Sequence, residues 1–415
     1  MQSNNIFHNL FIFEMANNHA GDFNHGLLMV DAFGKYAGEY PFKFAFKFQL
    51  RDIPTFIHPD YQGKMDIKYV KRFTETALSK DHFAALIEKV RTRDMLAIAT
   101  AFDENSVDLS VELDVDIIKI ASCSFTDWPL LERVVQTGKP LIASTAGASL
   151  EDIDGVVSFF QHRKKEFAIM HCVGEYPTML ENMQLNQITL LKNRYPGVPI
   201  GFSTHEDPKS CDSIYVVLGK GACLFEKHVA VETEQYPRNI YSAAPEEVKA
   251  WLDNAFRAYR MLGIDNERHP ISEKENSDLR QFKRGVFVKK NLPTGHRLQF
   301  EDMFFAFPNK EGQLLANDLS KYRTFILKTD LKAKAPVMEI NVERRENRAK
   351  IYEIVQSIKT LFNEAEVVYP GGAELEISHH YGLEKFHETG ITMVTVVNRG
   401  YCKKLIAMLP GQSHP

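Results

Sequence analysis

Between Asn9 and about Leu262 the chain carries eight short, apolar, β-rich runs, separated by segments with helical spacing. The runs are Leu10–Met15, Phe44–Phe48, Leu96–Thr100, Ile117–Ala121, Pro140–Ser144, Phe167–His171, Pro199–Ser203 and Ala222–His228. Most are continuously apolar rather than alternating, the pattern of parallel strands covered on both faces. Between them, sets such as Leu27, Val30, Asp31 and Gly34, or Leu130, Leu131, Val134 and Val135, follow the 3.6-residue period of a helix. Eight β–α units in roughly 250 residues match an α/β fold of the (β/α)8 TIM-barrel type. An open doubly wound sheet is the competing arrangement, but no G-x-G-x-x-G follows the first strand.

A chain of 415 residues has room for more than the barrel, which takes residues 1–267. Residues 268–279 are polar, contain Pro270 and read as a linker. Residues 280–342 read as a small β-rich domain, with strands at Gly285–Lys289 and Phe325–Lys328 and turns at Pro293-Thr294-Gly295 and Pro308–Gly312. Residues 343–366 are highly charged yet set Ile351, Ile354, Val355, Ile358, Leu361 and Phe362 on one face, as an amphipathic connector helix does. Residues 367–415 return to strands at Thr392–Asn398 and Leu405–Leu409, too few to close a β core, and so read as part of a domain.

Fifty Lys and Arg against 54 Asp and Glu leave a net charge of −4, without the basic excess that nucleic acid or an anionic membrane requires. Neither is expected as a partner. Cys123, Cys172, Cys211, Cys223 and Cys402 are scattered and never form C-x-x-C, which argues against a disulfide framework or a thiolate zinc site. With no apolar stretch approaching 18 residues and no basic leader before Leu10, a cytoplasmic location is expected.

TIM-barrel active sites lie at the C-terminal ends of the strands. Here those ends carry Glu14, Asn17, Asn18 and His19; Lys47 and Gln49; Thr100; Lys119 and Ser122; Ser144 and Thr145; His171 and Tyr176; Ser203, Thr204 and His205; and Glu226, Lys227 and His228. Two lysines among several hydroxyls suit a small phosphorylated anion better than two solvated rim residues. A single histidine is more often a hydrogen-bonded core residue, but His205 and His228 on neighbouring strands could offer two imidazoles to a divalent metal, with Glu14 and water supplying oxygen.

Read in order, these residues resemble the sialic acid synthase family. Glu14-Met15-Ala16-Asn17-Asn18-His19-Ala20-Gly21-Asp22 is similar to its opening signature, Lys47-Phe48-Gln49, Lys119-Ile120-Ala121-Ser122 and Ser144-Thr145-Ala146-Gly147 to three of its strand ends, and His171-Cys172-Val173 with Tyr176-Pro177-Thr178 to a fourth. Gly201-Phe202-Ser203-Thr204-His205 and Phe225-Glu226-Lys227-His228 complete the set. Residues 280–342 resemble the family's antifreeze-like (SAF) domain, and the tail resembles the start of a sugar-isomerase-like cupin at Ile377-Ser378-His379-His380-Tyr381-Gly382 and Leu409-Pro410-Gly411-Gln412-Ser413-His414-Pro415.

The resemblance implies a transferase that condenses phosphoenolpyruvate with a sugar aldehyde, using Mn2+ or Mg2+ held by His205 and His228. Glu14, Lys119, His205 and His228 would be catalytic; Lys47, Gln49, Thr100, Ser122, Ser144, Tyr176, Ser203 and Asn239 would bind substrate. A domain-swapped homodimer is also implied. Departures fall on the acceptor side: the family's aspartate before the metal histidine is Thr204, its asparagine between the H-C pair and the tyrosine is Gly174, its G-P-D loop is Pro237-Arg238-Asn239, and its cap Arg-Pro is Phe307-Pro308. They imply an acceptor other than plain N-acetylmannosamine. Two other function classes compete: a barrel aldolase or lyase acting on a keto acid through a Schiff-base lysine, and a non-catalytic carbohydrate-binding or assembly protein.

Overall fold

The computed structural model describes residues 5–263, 267–320, 323–346, 348–378 and 385–414. The chain divides into two units, Met1–Arg268 and His269–Pro415. The first is a closed barrel of eight parallel strands in sequence order: β1 (Leu10–Glu14), β2 (Lys43–Leu50), β3 (Leu96–Ala101), β4 (Ile117–Ile120), β5 (Leu141–Ser144), β6 (Phe167–Cys172), β7 (Ile200–Thr204) and β8 (Leu224–His228). Closure is made by β1, which pairs with both β2 and β8. The α/β barrel expected from the sequence is the fold observed.

Strand alternation explains why the runs read as continuously apolar. Leu10, Ile12, Ala45, Ile98, Ile117, Ile142, Ala168, Met170 and Leu224 point inward and pack on one another. Phe11, Phe13, Phe44, Phe46, Phe48, Ile118 and Ile120 point outward into the layer between strands and helices. Both faces of each strand are therefore buried, and both rows must be apolar. The inward row changes character only at its C-terminal end, where Glu14, Lys47, Thr100, Lys119, Ser144, Ser203 and Glu226 are all buried. Side-chain caps start the surrounding helices: Asp22 for Phe23–Gly34, Ser79 for Lys80–Arg91, Asp103 for Glu104–Glu112 and Ser149, in a capping box with Asp152, for Leu150–His162.

In the second unit β9 (Gly285–Val288) pairs antiparallel with β10 (Met303–Ala306), and β11 (Arg323–Leu327) with β12 (Val342–Glu346). Val286, Val288, Leu298, Phe325, Leu327 and Val337 form their core. The amphipathic helix Ala349–Glu364 buries Ile354, Ile358 and Phe362 in a second cluster with Phe386, Val394 and Ala407. The last two of these lie on the three-stranded antiparallel sheet of β13 (Glu374–Ser378), β14 (Ile391–Asn398) and β15 (Cys402–Ala407).

Several boundaries differ from the sequence reading. The stretch 268–279 carries most of a helix, Glu273–Gln281, capped by Ser272; it buries none of its residues, so no apolar stripe betrays it. Strand β12 runs past 342 to Glu346 because charged residues suffice on an exposed edge. The last strand lies at Cys402–Ala407 rather than Leu405–Leu409. Of the cupin-like tail, His379, His380, Tyr381, Gly382 and Pro415 lie outside the described residues. No helix among the described residues is long and apolar enough to cross a membrane.

Inside the barrel, Gly201 allows β7 to approach β8 closely. A Cβ there would stand 2.5 Å from Leu224 Cγ and 2.7 Å from the Leu224 carbonyl oxygen, closer than real contacts allow. Gly201→Ala is expected to lose about 1–3 kcal/mol to overpacking, read as a lower urea midpoint at unchanged slope. An unaltered midpoint would mean that the strand pair has slack to absorb a methyl group.

Candidate active site

The polar layer at the strand ends is organised around one carboxylate. Glu226, on β8, accepts from Lys47 Nζ at 2.9 Å and from Ser203 Oγ at 3.1 Å through Oε1, and from Lys119 Nζ at 2.9 Å through Oε2. Lys47 also ion-pairs with Glu14, its register partner on β1. Glu14 Oε1 in turn accepts from the Ala16 amide at 2.6 Å and from Gln49 Nε2 at 3.2 Å. Glu14, Lys47, Lys119 and Glu226 are each at most 4% exposed, so two ammonium and two carboxylate groups balance in a site almost sealed from water.

Their environments are not equivalent. Burial works against the charge of Glu226, but Lys119 and Lys47 outweigh it and hold the carboxyl below its ordinary range. Burial pushes Glu14 up, and Lys47 offsets this only in part. Lys47 is raised despite its burial because it lies between Glu14 and Glu226. Lys119 is lowered, chiefly by burial, with only Glu226 in close support and Lys47 opposing. An ammonium has three donors. Lys47 commits two to carboxylates, and Lys119 commits one to Glu226 and one to Met170 Sδ at 3.2 Å. One N–H on each remains for an incoming anion, and the buried Thr100 hydroxyl beside them has no partner.

The two histidines sit at the next level up. Their ring centroids are 5.1 Å apart. His205 Nδ1 lies 2.9 Å from the Val173 carbonyl, so Nδ1 carries the proton and Nε2 keeps its lone pair. His228 Nδ1 is buried without a partner. Burial lowers both imidazoles, which keeps them neutral and able to ligate. Among the described residues no group of three or more His, Cys, Asp or Glu side chains gathers as a metal site. Two neutral imidazoles side by side are a donor set of the kind a divalent metal could use.

The remaining candidates occupy the rim. Tyr176 is 56% exposed, with its ring 4.1 Å from that of His205 and 5.2 Å from that of Tyr241. Ser144 is buried at the end of β5, while Ser122 Oγ, past β4, accepts from the Ala146 amide at 3.1 Å. Asn239 is held at both ends of its amide: Nδ2 donates one hydrogen to Asn18 Oδ1 at 3.0 Å, and Oδ1 accepts from the amides of Tyr241 and Ser242. The structure therefore makes Asn239 a tie between the loop after β8 and the loop after β1. His171 faces outward, with Nε2 2.8 Å from the Met183 carbonyl, and braces the mouth.

Glu226 was absent from the residues singled out as catalytic or binding, although alternation carried the signal: if His228 points inward, so does Glu226. By the same rule Lys227 points outward, where it pairs with buried Glu206 at 3.2 Å over the Trp251 ring.

Fold and site together define a TIM barrel whose mouth gathers two buried lysines, two buried carboxylates and two neutral imidazoles. The NeuB family profile matches residues 44–267, and the chain belongs to the NeuB family. It is similar to the crystal structure of a Chromobacterium violaceum protein designated spore coat polysaccharide biosynthesis protein E, with 49% identity, 80% of this chain and 99% of that one covered, and a TM-score of 0.78. The N-acetylneuraminic acid synthetase of Leptospira borgpetersenii matches at 30% identity over 67% of this chain and 92% of its own, with a TM-score of 0.58. The N,N'-diacetyllegionaminic acid synthase of Legionella pneumophila is 27% identical, covering 56% of this chain and 65% of its own.

Glu226→Gln is expected to destabilise the barrel by about 3–5 kcal/mol, the cost of leaving a buried charge without its partner. Adding Lys119→Met should recover part of that loss, since the stranded ammonium is then gone. Denaturant titration of the native protein, the single variant and the double variant reads both effects. A double variant no more stable than Glu226→Gln would mean that the Lys119–Glu226 pair does not carry the cost.

Proposed function

We propose that this protein condenses phosphoenolpyruvate with the open-chain aldehyde of an aldose, an amino- or deoxy-sugar, giving a 2-keto-3-deoxy sugar acid of the sialic-acid type and inorganic phosphate. The observation that carries the reading is the pair of buried ammoniums, each with one donor to spare, beside an unpartnered Thr100 hydroxyl and below two neutral imidazoles. Membership of the NeuB family, with relatives named as synthases of neuraminic and legionaminic acids, supports it.

In this reading Lys47, Lys119, Thr100, Ser144 and Ser203 hold the anionic groups of phosphoenolpyruvate. Glu226 keeps the lysines apart and oriented before substrate arrives. Attack by C3 of the enol on the aldehyde carbon forms the new C–C bond and leaves positive character at C2. The aldehyde oxygen gains a proton, and Glu14, its carboxyl raised by burial, is placed to move one. Water adds at C2, loses its proton, and the tetrahedral adduct expels phosphate. His205 and His228 would hold a divalent cation, Mn2+ or Mg2+, which when bound polarises the aldehyde. Tyr176 and Gln49 face the acceptor side. By the same resemblance the second unit serves as an antifreeze-like cap exchanged between subunits of a homodimer. A Schiff-base aldolase needs an unprotonated lysine; Lys47 is held as an ammonium between Glu14 and Glu226, and Lys119, although lowered by burial, is ion-paired to Glu226.

The test is phosphate release from phosphoenolpyruvate with Mn2+ across neutral 2-acetamido, 2,4-diacetamido and unsubstituted aldoses and charged aldoses. Release should require one sugar, stop on chelation, and fall by about 100-fold or more in His205→Ala and in His228→Ala, the scale of losing one electrostatic stabiliser. Release indifferent to both substitutions would overturn the assignment.

A further inference from the structure

A cavity of about 370 Å³ opens beside the mouth of the barrel, bounded by the loop after β2 and by residues such as Phe73, Thr76 and Asn105. It adjoins the polar layer through one side chain. Gln49 lines the cavity, donates to Glu14 Oε1 at 3.2 Å and accepts from Arg51 Nη2 at 3.1 Å. Arg51 is thus one amide removed from Glu14.

The guanidinium of Arg51 is clamped between two rings, 3.6 Å from the Phe102 centroid and 4.1 Å from that of Phe73. Stacking occupies its faces, so recognition is left to the N–H groups in its plane. Gln49 takes one of these five donors, and Nε is buried with no partner. Among the described residues no carboxylate forms an ion pair with Arg51. Asp52, an acid lining the cavity, accepts through Oδ2 from Thr55 Oγ1 and from Asn105 Nδ2 at 2.8 Å. Burial pushes the guanidinium down to about 10, as befits a desolvated cation without a counter-ion in contact. A partly buried, stacked guanidinium with its Nε unpartnered and no ion-paired carboxylate among the described residues has donors left to use, and a bidentate anion is the ligand whose geometry matches its fork.

We infer that this cavity is a subsite for an anionic substituent, carboxylate or phosphate, carried by the acceptor sugar and bound through Arg51. The inference deepens the condensation reading and rests on it for the identity of the ligand as an acceptor. With the aldehyde end at the polar layer and Gln49 between, the charged end of the same molecule reaches Arg51. Asn17, Thr76 and Asn105 line its path.

Equilibrium binding by calorimetry, without phosphoenolpyruvate, separates this subsite from turnover. The probes are three matched aldoses: a neutral 2-acetamido hexose, its 6-carboxylate and its 6-phosphate. The native protein should bind one anionic form about 10- to 100-fold more tightly than the neutral one, the range of a charge-assisted hydrogen-bonded contact; which form wins distinguishes carboxylate from phosphate. In Arg51→Gln the anionic-to-neutral ratio should fall to within about 3-fold, and Arg51→Lys, which keeps charge but not the fork, should fall between. Equal affinity for all three sugars in the native protein would overturn the inference, as would an Arg51→Gln variant that weakens neutral and anionic sugars alike, because Arg51 would then only brace Gln49. Charge-selective binding without phosphate release would keep the subsite and sink the condensation; phosphate release with neutral sugars alone would do the reverse.

Discussion

Two lysines and two carboxylates inside a closed barrel are an expensive arrangement, since each charge gives up its hydration. What makes it tolerable here is Glu226, whose two oxygens serve Lys47 and Lys119 separately while Ser203 takes a further lone pair. The carboxylate fixes the lysines at a set separation, neutralises them, and still leaves each with an unused donor. Glu14 completes the neutrality and is itself anchored by the Ala16 amide, so the polar layer is ordered before any ligand enters. Binding an anion then requires little rearrangement, which is the sense in which a site is preorganised.

The same strand that supplies Glu226 also positions the imidazoles. On β8, Glu226 and His228 face the interior while Lys227 faces the helices, where its pairing with Glu206 ties the residue after His205 to the residue before His228. Ser213 Oγ donates to the same Glu206 oxygen, Oε1, at 2.7 Å. A charged pair behind the wall thus braces the backbone of both histidines, and the 5.1 Å between their rings is set by strand register and by this tie.

Much of this was legible in the sequence because a buried parallel strand has no choice but to be apolar on both faces; each of the eight strands lies within two residues of its expected run. The strand-end rule then pointed to Lys47, Lys119, His205 and His228 without further help. What escaped notice depends on three-dimensional partners. Glu226 became conspicuous only once Lys47 and Lys119 were seen to converge on it. Arg51 follows Lys47 by an even number of residues, but its neighbours Phe73 and Phe102 are distant in sequence. The helix Glu273–Gln281 has no apolar face to announce it. Asn239 is expected to meet substrate through its place in a motif, and its further role as a tie to Asn18 and to two backbone amides shows only in three dimensions.

These contrasts divide the site in two. The lower layer, where Glu14, Lys47, Lys119 and Glu226 interlock, cannot change one member without stranding the charge of another, so its chemistry is fixed as a unit. The rim obeys no such constraint. Tyr176 is half exposed, and Arg51 answers to a single amide. Substitution there need not disturb the buried charges, because among the described residues Gln49 is the one side chain that bonds both to Arg51 and to Glu14. Of the departures of this sequence from the family pattern it resembles, those at Thr204, Gly174, Arg238 and Asn239 lie outside the interlocked layer. A barrel organised in this way joins a buried charge layer that must be kept whole to a rim that tolerates exchange.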